Sequence, residues 1–73
     1  MMYIVIEIQT AANGTVSTIV NDYSNSAQAD SKFFSILASA ALSNVPVHAA
    51  TILTNEGRMV RFESYTHEQP VEE

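Results

Sequence analysis

The sequence predicts an α+β domain of ββαββ order, a four-stranded antiparallel sheet of preferred strand order 2-1-3-4 with one helix packed on one face. Three observations predict it. Apolar residues alternate in two pairs of stretches, each pair split by an Asn- and Gly-containing turn. Between the pairs lies a segment with 3.6-residue apolar spacing, bounded by cap-forming residues and a proline. Order 2-1-3-4 keeps both hairpins intact and makes every neighbouring pair antiparallel, with the helix covering one face.

The first strand spans Met2 to Thr10. Ile4, Ile6 and Ile8 share one face, and Tyr3, Val5, Glu7 and Gln9 share the other. Ala11-Ala12-Asn13-Gly14 follows, and Asn-Gly is a strong hairpin signal because both residues tolerate positive φ. The second strand runs from Thr15 to Tyr23. Val16, Ile19 and Val20 break strict alternation, which a bulge near Thr18 or an edge position would explain.

Ser24-Asn25-Ser26 supplies cap residues. With Asn25 as the cap, Gln28 takes the third helical position, as in a capping box. Asp30 is expected in the first turn, where its charge suits the helix dipole. The helix is expected over Ala27 to Leu42, with an apolar stripe of Phe33, Ile36, Leu37, Ala40 and Ala41 that Phe34, Ala38 and Leu42 widen. Ser43-Asn44 ends it and Pro46 forbids its continuation.

The third strand covers Pro46 to Thr54. Val47, Ala49, Thr51 and Leu53 share one face, and His48, Ala50, Ile52 and Thr54 the other. Asn55-Glu56-Gly57 turns the chain into the fourth strand, Arg58 to Thr66. Here Val60 and Phe62 are placed on one face, and Met59, Arg61, Glu63 and Tyr65 on the other. The domain therefore spans 1–67, followed by a flexible acidic tail at 68–73 that contains Pro70.

Composition narrows the function classes. Hydrophobic residues make up 47% against 15% charged, the balance of a folded chain. At 73 residues, such a domain needs staples, efficient packing or a partner subunit. There is no Cys, so disulfides and thiolate metal sites are excluded. His48 and His67 have no carboxylate at metal-ligand spacing, so no metal or other cofactor is expected. The net charge is −5 and the only strong cations are Lys32, Arg58 and Arg61, too few for a nucleic-acid footprint or an anionic membrane surface. No segment has the length of a membrane helix, and Met1 to Glu7 lacks a basic leader, so a cytoplasmic location is expected.

One helix covers only one face of four strands, so the other should read as polar. It does not. If Ile4, Ile6 and Ile8 face the helix, Tyr3 and Val5 are left on the opposite side, and the last two strands also leave apolar groups there. Exposed apolar patches mark association, and a homodimer through sheet faces or edge strands is the economical expectation, the alternative being scattered surface hydrophobes.

Candidate chemistry is sparse, and no catalytic, cofactor-binding or metal-binding residue is assigned. His48 is the most tempting single residue because imidazole is the usual acid–base side chain, but no signature pairs it with a nucleophile or carboxylate. His67 lies by the tail. Glu7, Arg61 and Glu63 read as cross-strand charges on a solvated face. Asn13-Gly14 and Asn55-Glu56-Gly57 lead into strands and so are turns rather than phosphate loops. Tyr3, Tyr23, Phe62 and Tyr65 could stack bases, but without Lys and Arg around them they read as core or interface. A small-molecule site at a dimer interface, built on His48 and Arg61, is the alternative to an interaction role.

Residues 3–10 (Tyr3-Ile4-Val5-Ile6-Glu7-Ile8-Gln9-Thr10), Val45-Pro46-Val47-His48-Ala49-Ala50 and the turn Leu53-Thr54-Asn55-Glu56-Gly57 resemble a group of small hypothetical proteins of gut Firmicutes and their prophages. The resemblance runs from Met2 to about His67. It implies a phage or mobile-element accessory protein, and it transfers no site residue.

Overall fold

The computed structural model describes residues 1–67. The tail expected at 68–73 lies outside the described residues. In chain order come β1 (Tyr3–Thr10), β2 (Val16–Tyr23), α1 (Ser26–Leu42), β3 (Val47–Thr54) and β4 (Met59–Thr66). The strands form one antiparallel sheet in the order β2-β1-β3-β4, and α1 packs on one face of it. The fold is α+β, in the expected topology.

Both hairpins turn in the same way. In the first, Gly14 N–H donates to the Ala11 carbonyl (2.9 Å) and Ala11 N–H to the Thr15 carbonyl (2.9 Å). In the second, Gly57 N–H donates to Thr54 (2.9 Å) and Thr54 N–H to Arg58 (2.8 Å). Each glycine has a φ of 87°, which side chains disfavour. Asn13 does not share the positive φ expected of it, since no non-glycine residue among those described adopts one. Its Oδ1 instead accepts from Thr15 N–H at 3.0 Å, the local side-chain bond that favours Asn in turns.

Asn25 caps α1 as expected, with Oδ1 accepting from Ala27 N–H (2.7 Å) and Gln28 N–H (3.4 Å). Asp30 falls beyond the first turn, which holds no acidic residue. Its carboxylate is engaged across the interface with Arg61 instead. At the other end, the Ala40 carbonyl accepts from Ser43 N–H (3.2 Å) and from the His67 ring at 2.8 Å, so this C-terminal carbonyl is satisfied.

The core lies between α1 and the two central strands. Val5, Ala29, Phe33, Ile36, Ala50 and Ile52 form one buried cluster, with Tyr3, Tyr23 and Leu37 packed at its margin. Small Ala29 and Ala50 let helix and sheet approach closely. The apolar sector of α1 is narrower than the sequence suggested. Phe34 is 53% exposed, Leu42 is 91% exposed, and Ala38 and Ala41 are also exposed. An α-helix on a sheet makes one line of contact, so flanking apolar positions stay in solvent.

Which sheet face the helix covers is the main departure from expectation. Val5 is fully buried under α1, and Ile4, Ile6 and Ile8 are on the uncovered side. Antiparallel partners share a face, and Val5 is in register with the fully buried Ile52. A one-residue change of register would exchange the two faces, so the register that seats Val5 against Ile52 decides which set the helix covers.

Two smaller corrections concern the edge strands. The register of β2 against β1 is continuous from Tyr3↔Tyr23 to Thr10↔Val16, so the irregular pattern of β2 reflects its edge position and not a bulge at Thr18. The register shift lies on the other edge. Ile52 pairs with Arg61 and Leu53 with Met59, which leaves Val60 as the extra residue. The bulge moves Met59 onto the face of Leu53, opposite to the face assigned from strict alternation.

Candidate functional site

Two constellations stand out, one polar and covered, the other apolar and open. The polar one joins β1 to β3 beneath the helix. His48 Nε2 lies 2.6 Å from Glu7 Oε2, and Gln9 Nε2 donates to the same oxygen at 2.9 Å. Gln9 is the register partner of His48, which brings Glu7, two residues along, diagonally across from it. His48 is 4% exposed. Its other ring nitrogen, Nδ1, is buried with no hydrogen-bond partner among the described residues.

Burial pushes the Glu7 carboxyl up. Hydrogen bonds from His48 and Gln9, and the charges of His48 and Lys32, outweigh it and hold Glu7 below its ordinary value of 4.5. Glu7 is therefore ionised at neutral pH, and the Nε2–H of His48 donates to it. This pair was not visible in the sequence, where the two residues stand 41 positions apart. The signal was available in part: Glu7 and Val5 share a face, and so do His48 and Ile52. Only the register brings the two sets together.

The arrangement holds and orients an imidazole as catalytic carboxylate–histidine pairs do. It lacks their access. One hollow of about 360 Å³ is lined by Tyr23, Gln28, Ser31, Lys32 and Ser35. A second, of about 330 Å³, is lined by Met1, Tyr3, Thr54, Glu56, Arg58 and Val60. Neither borders Glu7 or His48. Among the described residues no three His, Cys, Asp or Glu side chains converge as a metal-holding group. The pair ties two strands together and meets no substrate-sized space in these hollows.

The remaining candidates separate. Arg61 is not part of a solvated pair with Glu7. Its Nε donates to Asp30 Oδ1 on α1 at 3.0 Å, and its guanidinium sits 5.4 Å from the centre of the Phe34 ring. Both partners are substantially exposed, so the pair contributes at most about 1 kcal/mol. Glu63 bonds locally to Ser64 N–H. His67 is anchored rather than loose: besides its bond to Ala40, its N–H donates to the Pro46 carbonyl at 2.8 Å, and its ring stacks on Tyr65. Tyr3 and Tyr23 flank the core on the helix side, whereas Phe62 lies on the open side, so the aromatic residues form no common platform. The three strong cations are also apart, Lys32 on α1, Arg58 beyond the second turn and Arg61 on β4.

The second constellation is the open sheet face. Following the register across the four strands, its rows are Asp22, Ile4, Leu53 and Met59; Val20, Ile6, Thr51 and Phe62; Thr18, Ile8, Ala49 and Ser64; and Val16, Thr10, Val47 and Thr66. Val20, Phe62 and Met59 are each about 60% exposed. Asp22, at the end of an edge strand, is the one charged side chain in these rows. Glu7, Asp30, Lys32, Arg61 and Glu63 belong to the helix side or to the helix itself.

Comparison with known proteins places no other chain beside this one: no family model, curated protein or solved structure matches it. Among the described residues no helix is long and apolar enough to cross a membrane.

Proposed function

We propose that this chain is a small interaction or structural protein that works as a homo-oligomer in the cytoplasm. The observation that carries the reading is the open sheet face, where Ile4, Ile6, Ile8, Val20, Leu53, Met59 and Phe62 form one contiguous apolar surface. Scattered apolar residues are normal on a protein surface, but a continuous face of them is a mark of association. The covered core supports the same reading. Among the described residues it buries only four hydrophobic side chains larger than alanine: Val5, Phe33, Ile36 and Ile52. Without disulfides, a domain of this size gains much from a partner subunit.

The likeness to small proteins of Firmicutes prophages extends the proposal to an accessory role in a phage or mobile element. A small-molecule site built on His48 and Arg61 finds less support, because the first is buried under α1 and the second is engaged with Asp30 and Phe34. Sedimentation equilibrium of the full chain at micromolar concentration tests the central reading. A dimer or larger species is expected, and a monomer at every concentration overturns it.

A further inference from the structure

We infer that the occupant of the open sheet face is a second copy of this chain, packed sheet on sheet. The inference rests on the self-association proposed above and adds the surface and the geometry.

Three observations select this arrangement. The first is charge. The chain carries a net charge of −5, so two copies repel unless they meet where charge is absent. The open face is that place: among the described residues only Asp22 brings a charge to its margin, while the helix side and the turns carry the other strand and helix charges. A strongly acidic or basic partner would find nothing on this face to pair with.

The second is area. Each strand is eight residues long. At about 3.4 Å per residue and about 4.8 Å between strands, the four make a face of roughly 500 Å² before side-chain relief is counted. Two copies then bury about 1,000 Å² or more, which meets the lower bound for a biological interface.

The third is shape and edge chemistry. Along the middle of the face, Ala49 and Thr51 on β3 are small, and Ile6, Ile8 and Phe62 rise beside them. Large side chains beside small ones let two facing sheets interdigitate at the roughly 10 Å separation of a β-sandwich. The β4 edge is less suited to strand pairing, because Val60 bulges it and it bears Arg61 and Glu63.

The test places charge at the centre of the face. Thr51→Lys and Thr51→Glu alter a partly exposed position, and circular dichroism verifies that each variant still folds. Each alone is expected to weaken the dimer at least roughly 100-fold, because a like charge from each copy is buried at the contact. Mixing the two is expected to restore a heterodimer, seen by mass difference in native mass spectrometry. Thr18→Lys on the same face repeats the test if position 51 fails to fold. Ser17→Lys and Ile19→Lys charge the β2 edge on the helix side and should leave the dimer intact. A dimer that survives Thr51→Lys, or that dissociates only with the β2 variants, overturns the sheet-on-sheet arrangement and leaves self-association standing. A wild-type chain that is monomeric throughout overturns both.

Discussion

Glu7 and His48 meet at 2.6 Å across β1 and β3, beneath the helix and 41 positions apart in the chain. They make the one covered contact between a carboxylate and a basic side chain among the described residues. The other, Arg61 with Asp30, has both side chains more than a third exposed. The covered pair combines an ionised carboxylate, a buried imidazole and a ring nitrogen without a partner among the described residues, so its removal has different consequences depending on which partner goes.

The Glu7 carboxyl is held below its ordinary value, and the sign of the pH effect follows. A depressed carboxyl stabilises the fold above its unfolded-state value, and that stability is lost as pH falls through the folded-state value. Urea denaturation between pH 7 and pH 3 is expected to show this loss below about pH 4.5. Glu7→Gln should be less stable at neutral pH and should show a flatter acid limb. An unchanged acid limb in that variant would mean that other carboxylates set it.

Single and double removal of the pair should differ. Removing one partner strands the other in a covered site, at a cost of about 1–3 kcal/mol. Replacing both with apolar residues of similar size leaves no polar atom unsatisfied and removes the orphaned Nδ1 of His48. Glu7→Leu and His48→Phe are each expected to lower the urea midpoint, with the double variant less affected than the sum. Strict additivity in this cycle would show that the contact contributes no coupling.

Adjacent phenylalanines should behave in opposite ways. Phe33 is 3% exposed within the core, and Phe34 is 53% exposed beneath the Arg61 guanidinium. Phe33→Ala is expected to cost about 3–5 kcal/mol, enough to unfold a domain with so small a core. Phe34→Ala should cost less than about 1 kcal/mol. Thermal melts of the two variants compare them directly, and equal losses would contradict the placement of the helix.

The two turn glycines offer a cleaner backbone test. A Cβ added at Gly14 or Gly57 meets nothing within 4 Å, so the effect of Gly→Ala comes from φ alone. Each substitution is expected to destabilise by about 1 kcal/mol, with Gly→Asn costing less because Asn tolerates the left-handed region better. Equal losses for Ala and Asn in urea titrations would argue against that conformation.

The hairpins, the helix and its Asn25 cap were legible in the sequence because each rests on interactions within a few residues. So was the antiparallel order, because short turns leave few ways to join these strands. Local periodicity also sorted each strand's residues into two sets: Tyr3 and Val5 against Ile4 and Ile6, Ala50 and Ile52 against Thr51 and Leu53. Only the tertiary structure decided which set the helix covers, and it chose Val5, Ala50 and Ile52, leaving the isoleucines of β1 open. Ile4, Ile6 and Ile8 are the more apolar set of β1, so periodicity favoured them, but the seat beneath α1 goes to the set that aligns with Ala50 and Ile52. Register was equally beyond local reading. It places Gln9 opposite His48 and so brings Glu7 within reach of the imidazole, and it sets the bulge at Val60 that returns Met59 to the open face. The sequence by itself determined the elements and their order, which depend on short-range forces. The covered face, the buried pair and the surface left for a partner depend on how distant strands align, and only the folded chain decides that.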